Sequence, residues 1–330
     1  VAISLYKRPG IISFLDDDAD FLELLGEVMP ADWSLRLFDE PTSLMESMQA
    51  DNQVFADETW QHQSILEKTK GGESAIAQVL QYWRSDGIQR YSTTRVFVVD
   101  YSMPALTGLE VLERLEQWPG ARLLLTGQAD EMLAVTAFNK GLIHQFIPKQ
   151  TKDLARRLIE TIQSLMELPL GDLGKIWLNN LTREQLGLVR DPAVAHWLVS
   201  LVKAQGWVEY AVIGAPFGIL GLTADGMVGW LQIEHHESAR SLDELAEVVN
   251  TLDLSPAQIQ GVKEGQLVVD FELQLALRSE GALRTAPALH LPGTEMVSAA
   301  VFPIDARFAP GSSCSWNQHL KGRARDRYTV

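Results

Sequence analysis

Apolar and polar positions in the first half of the chain change period repeatedly. Ile11 to Leu15 is a short apolar run that ends in Asp16-Asp17-Asp18, after which Phe21, Leu24, Leu25 and Val28 fall at helical spacing. Ser34 to Phe38 alternates as a strand does, and Pro41 suits the first turn of a helix. Val96 to Val99 is a continuous apolar run, the pattern of strands buried on both faces of a parallel sheet, and Leu109, Leu112 and Leu115 mark the helix after it. Arg122 to Leu125 predicts a further strand ending at Thr126-Gly127, and a helix over about 130–140 stops at Gly141. Gln145 to Ile147 predicts a fifth strand before Pro148-Lys149, and Leu154, Leu158, Ile162 and Leu165 line one face of a last helix. Five strand–helix repeats predict the α/β class, a doubly wound five-stranded parallel sheet with helices on both faces.

After Pro169 the pattern changes. Asp191 to Gln205 reads as a helix and Glu209 to Ile213 as a strand, and Gly218 to Glu234 reads as a hairpin turning at Thr223-Ala224-Asp225-Gly226. Helices are expected over about 241–252 and 256–264, then strands over Leu267–Leu277, Ala286–Leu291 and Met296–Ile304. This order predicts an α+β domain with an antiparallel sheet. The expected organisation is a first domain over 1–168 and a second over 169–330, which suits a chain of 330 residues.

Composition narrows the function. The net charge is −15. Residues 1–168 carry 15 basic and 25 acidic side chains, which argues against nucleic-acid binding, since that depends on clustered Lys and Arg. Only Lys321, Arg323, Arg325 and Arg327 lie close together, and a solvated terminal segment accounts for them. The single cysteine, Cys314, excludes an intrachain disulfide and a cysteine-rich metal site. No signal-peptide pattern is visible, and the longest uncharged segment, Tyr210 to Ala224, is shorter than the roughly 18 apolar residues of a membrane span. A cytoplasmic location is expected. His235-His236 is a poor metal chelate, because neighbours on a strand point to opposite faces.

Ligands of doubly wound sheets bind beyond the carboxyl ends of the strands. Asp16 and Asp17, Asp100, Thr126 and Lys149 all stand at such ends. Three carboxylates resist simultaneous ionisation, and a hard divalent cation such as Mg²⁺ relieves this. Lys149 adds a fixed positive charge, Thr126 a hydroxyl, and Gly127 leaves space beside it. Metal, ammonium and hydroxyl together suit the oxygens of a phosphoryl group in transfer, with Asp100 as the nucleophile.

Residues 11 to about 166 resemble the receiver domain of bacterial two-component response regulators. The shared pattern is the pair Asp16-Asp17, then Asp100-Tyr-Ser-Met-Pro-Ala-Leu-Thr-Gly108, Thr126-Gly127 and Lys149. The resemblance implies that Asp100 accepts phosphate from a sensor histidine kinase or phosphotransfer protein. It implies Mg²⁺ on Asp17 and Asp100 directly, on Asp16 mostly through water, and on the backbone carbonyl of Ser102. Phe146 matches an aromatic position that changes rotamer with Thr126 on activation, and Ser102 a position that tunes the lifetime of the phosphate. The second half resembles a PAS sensory domain in its hairpin and element order.

Two departures stand out. The family usually places Pro, in a cis bond, after the lysine; here Gln150 follows. Asp17 and Asp100 are also 83 positions apart, where two helices, a strand and short loops need about 45. The surplus predicts a mostly helical insertion near 52–92, broken at Lys70-Gly-Gly-Glu-Ser74, with the apolar stripe Ile76, Val79, Leu80 and Trp83. The stripe suits either packing on the insertion's own domain or a homodimer or partner surface. No familiar output signature is present. The expected function is that of a phosphoacceptor response regulator acting through an atypical binding domain. An enzymatic output or a transcriptional regulator is the alternative.

Overall fold

The structure is a computed structural model and describes residues 3–104, 106–127, 131–235, 254–294 and 297–323. The chain divides into two compact units, each discontinuous in sequence. One comprises Arg8–Trp60, Ile88–Leu173 and the residues from Trp316; the other comprises the residues up to Lys7, Gln61–Gly87 and Gly174–Ser315.

The first unit is built on five strands, β2 (Ile11–Leu15), β3 (Ser34–Phe38), β4 (Thr94–Asp100), β5 (Ala121–Thr126) and β6 (Gln145–Pro148). They are all parallel, in the order β3-β2-β4-β5-β6. Every residue of β4 is buried, as its unbroken apolar run requires. On one face Ile12, Phe14, Val96, Val98, Leu123 and Leu125 pack with Leu22 and Leu25 of α1 (Ala19–Val28) and with Leu158, Ile162 and Leu165 of α6 (Leu154–Met166). Those three α6 residues belong to its sequence stripe. The strand side chains of alternate parity, among them Phe97 and Val99, face the other way, where Phe97 meets the ring of Trp118 and Val99 approaches Gly108 of α4 (Gly108–Arg114). Helix α5 (Glu131–Asn139) joins β5 to β6.

The surplus length between β3 and β4 is helical. Helix α2 (Pro41–Lys70) runs 30 residues and stops at Gly71-Gly72, with Gly72 at φ +96°. Ser74 then caps α3 (Ala75–Ser85) by accepting the N–H of Ala77. The first part of α2 is tied to the parallel-sheet unit by Glu58, which holds buried Arg8 at 2.6 Å, and by Asp51, 3.1 Å from Arg36. From Gln61 onward α2 belongs to the other unit. The stripe Ile76, Val79, Leu80 and Trp83 is buried there.

That second unit is centred on an antiparallel sheet ordered β1-β7-β8-β9-β13-β12. Its strands are β1 (Tyr6–Lys7), β7 (Trp207–Gly214), β8 (Phe217–Thr223), β9 (Val228–His235), β12 (Leu289–His290) and β13 (Val297–Pro303). The hairpin turn falls at 223–228, as its residues predict. Tyr6 packs on His62 and Trp177, and the indole of Trp177 donates to His62 Nδ1 at 3.0 Å. Helices α7 (Leu173–Leu178), α8 (Arg183–Arg190) and α9 (Pro192–Ala204) precede β7, and α10 (Pro256–Lys263) follows β9.

One expected strand is corrected. The alternation over Leu267–Leu277 yields only the short β10 (Leu267–Val269), and α11 (Phe271–Ala276) follows. Buried Asp270 makes the break. Its carboxylate accepts the N–H of Arg284 at 2.8 Å, Arg284 Nε at 2.7 Å and Gln274 Nε2 at 2.7 Å, and its carbonyl takes the N–H of Gln274. The apolar stretch Ala286–Leu291 is likewise divided between β11 (Thr285–Pro287), which pairs with β10, and β12, which pairs with β13. The helix expected over 241–252, His236, Arg325 and Arg327 lie outside the described residues.

Candidate functional site

The carboxyl ends of β2, β4, β5 and β6 converge. Asp18 caps α1 by accepting the N–H of Phe21 at 3.0 Å, which leaves Asp16 and Asp17 between strand and helix. Asp16 is fixed from both sides: its N–H donates to the Phe38 carbonyl at 3.1 Å, and its Oδ1 accepts the N–H of Asp18 at 3.1 Å. Asp100 ends β4, and its Oδ2 accepts the N–H of Ser102 at 3.2 Å. Carboxylate oxygens of Asp16, Asp17 and Asp100 lie within 4.8 Å of one another, with Asp16 and Asp100 buried and Asp17 exposed.

The spacing from Asp100 to Gly108 has a steric reason. The N–H of Gly108 donates to the Tyr101 carbonyl at 2.9 Å. A Cβ on Gly108 would lie 2.2 Å from the carbonyl oxygen of Asp100. Only glycine lets the first residue of α4 come so close to the acidic strand end.

Lys149 is aimed by its backbone, which donates to the Thr126 carbonyl at 2.8 Å. Its Nζ lies 2.7 Å from Asp16 Oδ2 and 2.9 Å from Asp100 Oδ1. Burial alone would lower the lysine's pKa, but the hydrogen bonds and charges of Asp16 and Asp100 outweigh it and hold the ammonium above its ordinary range. Asp16 moves the opposite way relative to its usual preference. Desolvation raises its carboxyl, Lys149 opposes the rise, and the nearby Asp100 charge adds to it. The hydroxyl of Thr126 is fully buried and has no hydrogen-bond partner among the described residues. Such an orphaned donor is costly unless a ligand oxygen meets it.

The predicted residues Asp16, Asp17, Asp100, Thr126 and Lys149 are thus gathered at one end of the sheet. Ser102 is exposed beside Asp100, to which its backbone donates. Phe146 is half-buried on β6, opposite Leu124 and three residues before Lys149. The Lys149–Gln150 bond is trans, since Ala215–Pro216 is the cis bond among the described residues. Sequence reasoning missed Phe21, whose ring lies 4.9 Å from Lys149 Nζ. Its helical spacing marked it only as a core position.

The three carboxylates offer only oxygen, two of them from buried residues, which fits a hard divalent cation such as Mg²⁺. No family model and no curated protein sequence matches the chain. Among solved structures, it is similar to the response regulator LqsR of Legionella pneumophila, at 22% identity and a TM-score of 0.69, covering 99% of this chain and 98% of that one. A response regulator receiver domain protein from Clostridium thermocellum aligns at 16% identity and a TM-score of 0.32, over 48% of this chain and 94% of its own. The chain therefore shares, over nearly its whole length, the fold of a response regulator: a flavodoxin-like receiver sheet that carries the acidic site, together with an antiparallel α+β unit.

Proposed function

We propose that the chain is a phosphoacceptor response regulator, phosphorylated on Asp100 and acting through its antiparallel unit by binding. The observation that carries this reading is the ammonium of Lys149 bridging Asp16 and Asp100, with the unpartnered hydroxyl of Thr126 on the neighbouring strand end. One oxygen of Asp100 forms the new P–O bond as the P–N bond of a phosphohistidine breaks, and the departing imidazole keeps the electron pair and takes a proton from water. Lys149 exchanges a carboxylate partner for a phosphoryl oxygen, and the Thr126 hydroxyl donates a hydrogen bond to another. Asp16, Asp17 and Asp100, with the Ser102 carbonyl, would hold Mg²⁺. That ion, when bound, neutralises phosphoryl charge. The donor is a sensor histidine kinase or phosphotransfer protein in the cytoplasm, and the output is a homodimer or a downstream protein partner. Phe146 and Thr126 are the residues proposed to report phosphorylation, and Ser102 to tune its lifetime.

The test is intact mass after treatment with a small phosphodonor and Mg²⁺. Wild type should gain one phosphoryl group and Asp100→Ala none. Equal labelling of the two proteins would refute the assignment.

A further inference from the structure

The antiparallel unit holds a second oxygen-rich cluster, remote in sequence from the receiver acids. Gln232 and Glu234 alternate along β9, so their side chains share one face of the sheet. Ser298 stands opposite Glu234 on β13 and Ala300 opposite Gln232, so the cross-strand neighbours on that face are small. The Gln232 amide is fixed. Its Nε2 donates to the Val269 carbonyl at 2.9 Å and to Glu234 Oε2 at 3.1 Å. Both amide protons are therefore spent, which settles which end of the amide is oxygen. Gln232 is only 1% exposed, and its Oε1 has no hydrogen-bond partner among the described residues. The bond to Val269 also ties in the start of α11, whose second residue is Glu272.

The inventory is one-sided. An orphaned amide oxygen, the half-buried carboxylate of Glu234 and the exposed carboxylate of Glu272 are all acceptors. Burial raises the Glu234 carboxyl above its ordinary range, and the neighbouring charge of Glu272 pushes the same way. An amide oxygen with two carboxylates is a hard donor set of the kind that takes Ca²⁺ or Mn²⁺, with water completing the shell. We propose that Gln232 Oε1, Glu234 and Glu272 form a divalent-cation site in the antiparallel unit. The ion gives the buried amide oxygen a partner and cancels the repulsion of the two acids.

Titration of the full-length protein with Mn²⁺, counting free ion by electron paramagnetic resonance, tests this. Wild type should bind two equivalents, one removed by Asp17→Asn and the other weakened at least tenfold by Glu234→Gln. Glu272→Gln, at an exposed position, should weaken that same equivalent. A single equivalent abolished by Asp17→Asn overturns the proposal and leaves the receiver metal intact. A single equivalent abolished by Glu234→Gln but insensitive to Asp17→Asn upholds it, and counts instead against the receiver metal.

Discussion

Replacing Gly108 by alanine sets two effects of opposite sign against each other. Gly108 opens α4, and its backbone is not in the left-handed region. By helix propensity alone, alanine should gain up to about 1 kcal/mol. The new Cβ, however, would sit 2.2 Å from the carbonyl oxygen of Asp100, 3.0 Å from its carbonyl carbon and 3.1 Å from Val99 Cγ2. Ordinary contact is about 3.5 Å, so α4 or the strand end has to retreat by about 1 Å. The obstacle is main chain within a fully buried strand and cannot rotate away, so the overpacking cost belongs at the upper end of about 1–3 kcal/mol. The net is a loss of about 2 kcal/mol, with Asp100 itself displaced. Gly187 in α8 is the control, because nothing lies within 4 Å of its would-be Cβ. There the propensity gain stands alone, at about 0.5–1 kcal/mol. Urea unfolding of both variants, with phosphorylation rates, gives the comparison. A Gly108→Ala protein as stable as wild type and phosphorylated at the wild-type rate would refute the steric account.

Thr126→Val, which keeps the shape but removes the orphaned hydroxyl, should slow phosphorylation about 10²-fold while leaving stability equal or up to about 1 kcal/mol higher; stopped-flow and thermal melts measure the two. Asp16→Asn should stabilise the metal-free protein at neutral pH. Because burial raises the folded Asp16 carboxyl above 3.8, its contribution is present in acid and lost as pH climbs through the raised value. The Asn-minus-wild-type difference in stability should therefore vanish below about pH 3.8, open above it, and shrink when Mg²⁺ is added. Trp83→Ala, at a fully buried position of the insertion stripe, should cost about 3–5 kcal/mol by chemical denaturation. A cost below 1 kcal/mol would mean that the stripe is not core.

Residues whose role is set locally were the legible ones. The apolar runs Ile11–Leu15 and Val96–Val99 had to be buried strands, and the acids that end them had to lie together once the sheet was parallel. The insertion's helices and their break at Gly71-Gly72 were equally local, since capping by Ser74 and a positive φ at Gly72 are written in residue type. Misreadings came where distant residues decide. The alternation from Leu267 to Leu277 is a sound strand pattern, and it fails because Arg284 holds Asp270 in a helix-starting turn. The approach of Phe21 to Lys149 was invisible for the same reason. Nothing in an apolar position at helical spacing says that a lysine 128 positions later will lie over its ring. Orphaned atoms such as Thr126 Oγ1 and Gln232 Oε1 can be recognised only after every other partner has been placed.

The edge of the receiver sheet depends on residues made very late. Helix α12 (Trp316–Arg323) returns to this unit. The indole of Trp316 donates to the Asp32 carbonyl at 3.1 Å, its ring meets Tyr91, and His319 Nε2 lies 3.3 Å from the hydroxyl of Ser34 on edge strand β3. In the other unit the sheet begins with Tyr6-Lys7, paired to Ala211 and Tyr210. On the ribosome, then, an early strand waits for partners about two hundred residues downstream, and the receiver edge stays bare until residue 323 has emerged. At a typical 5–20 residues per second, that is a wait of roughly 15–60 s with the outer edge of β3 exposed. A receiver excised at residue 168 is the released product of that unfinished state. Its tendency to aggregate would reflect the missing helix α12 and the uncovered apolar stripe of α3 rather than any defect in the acidic site.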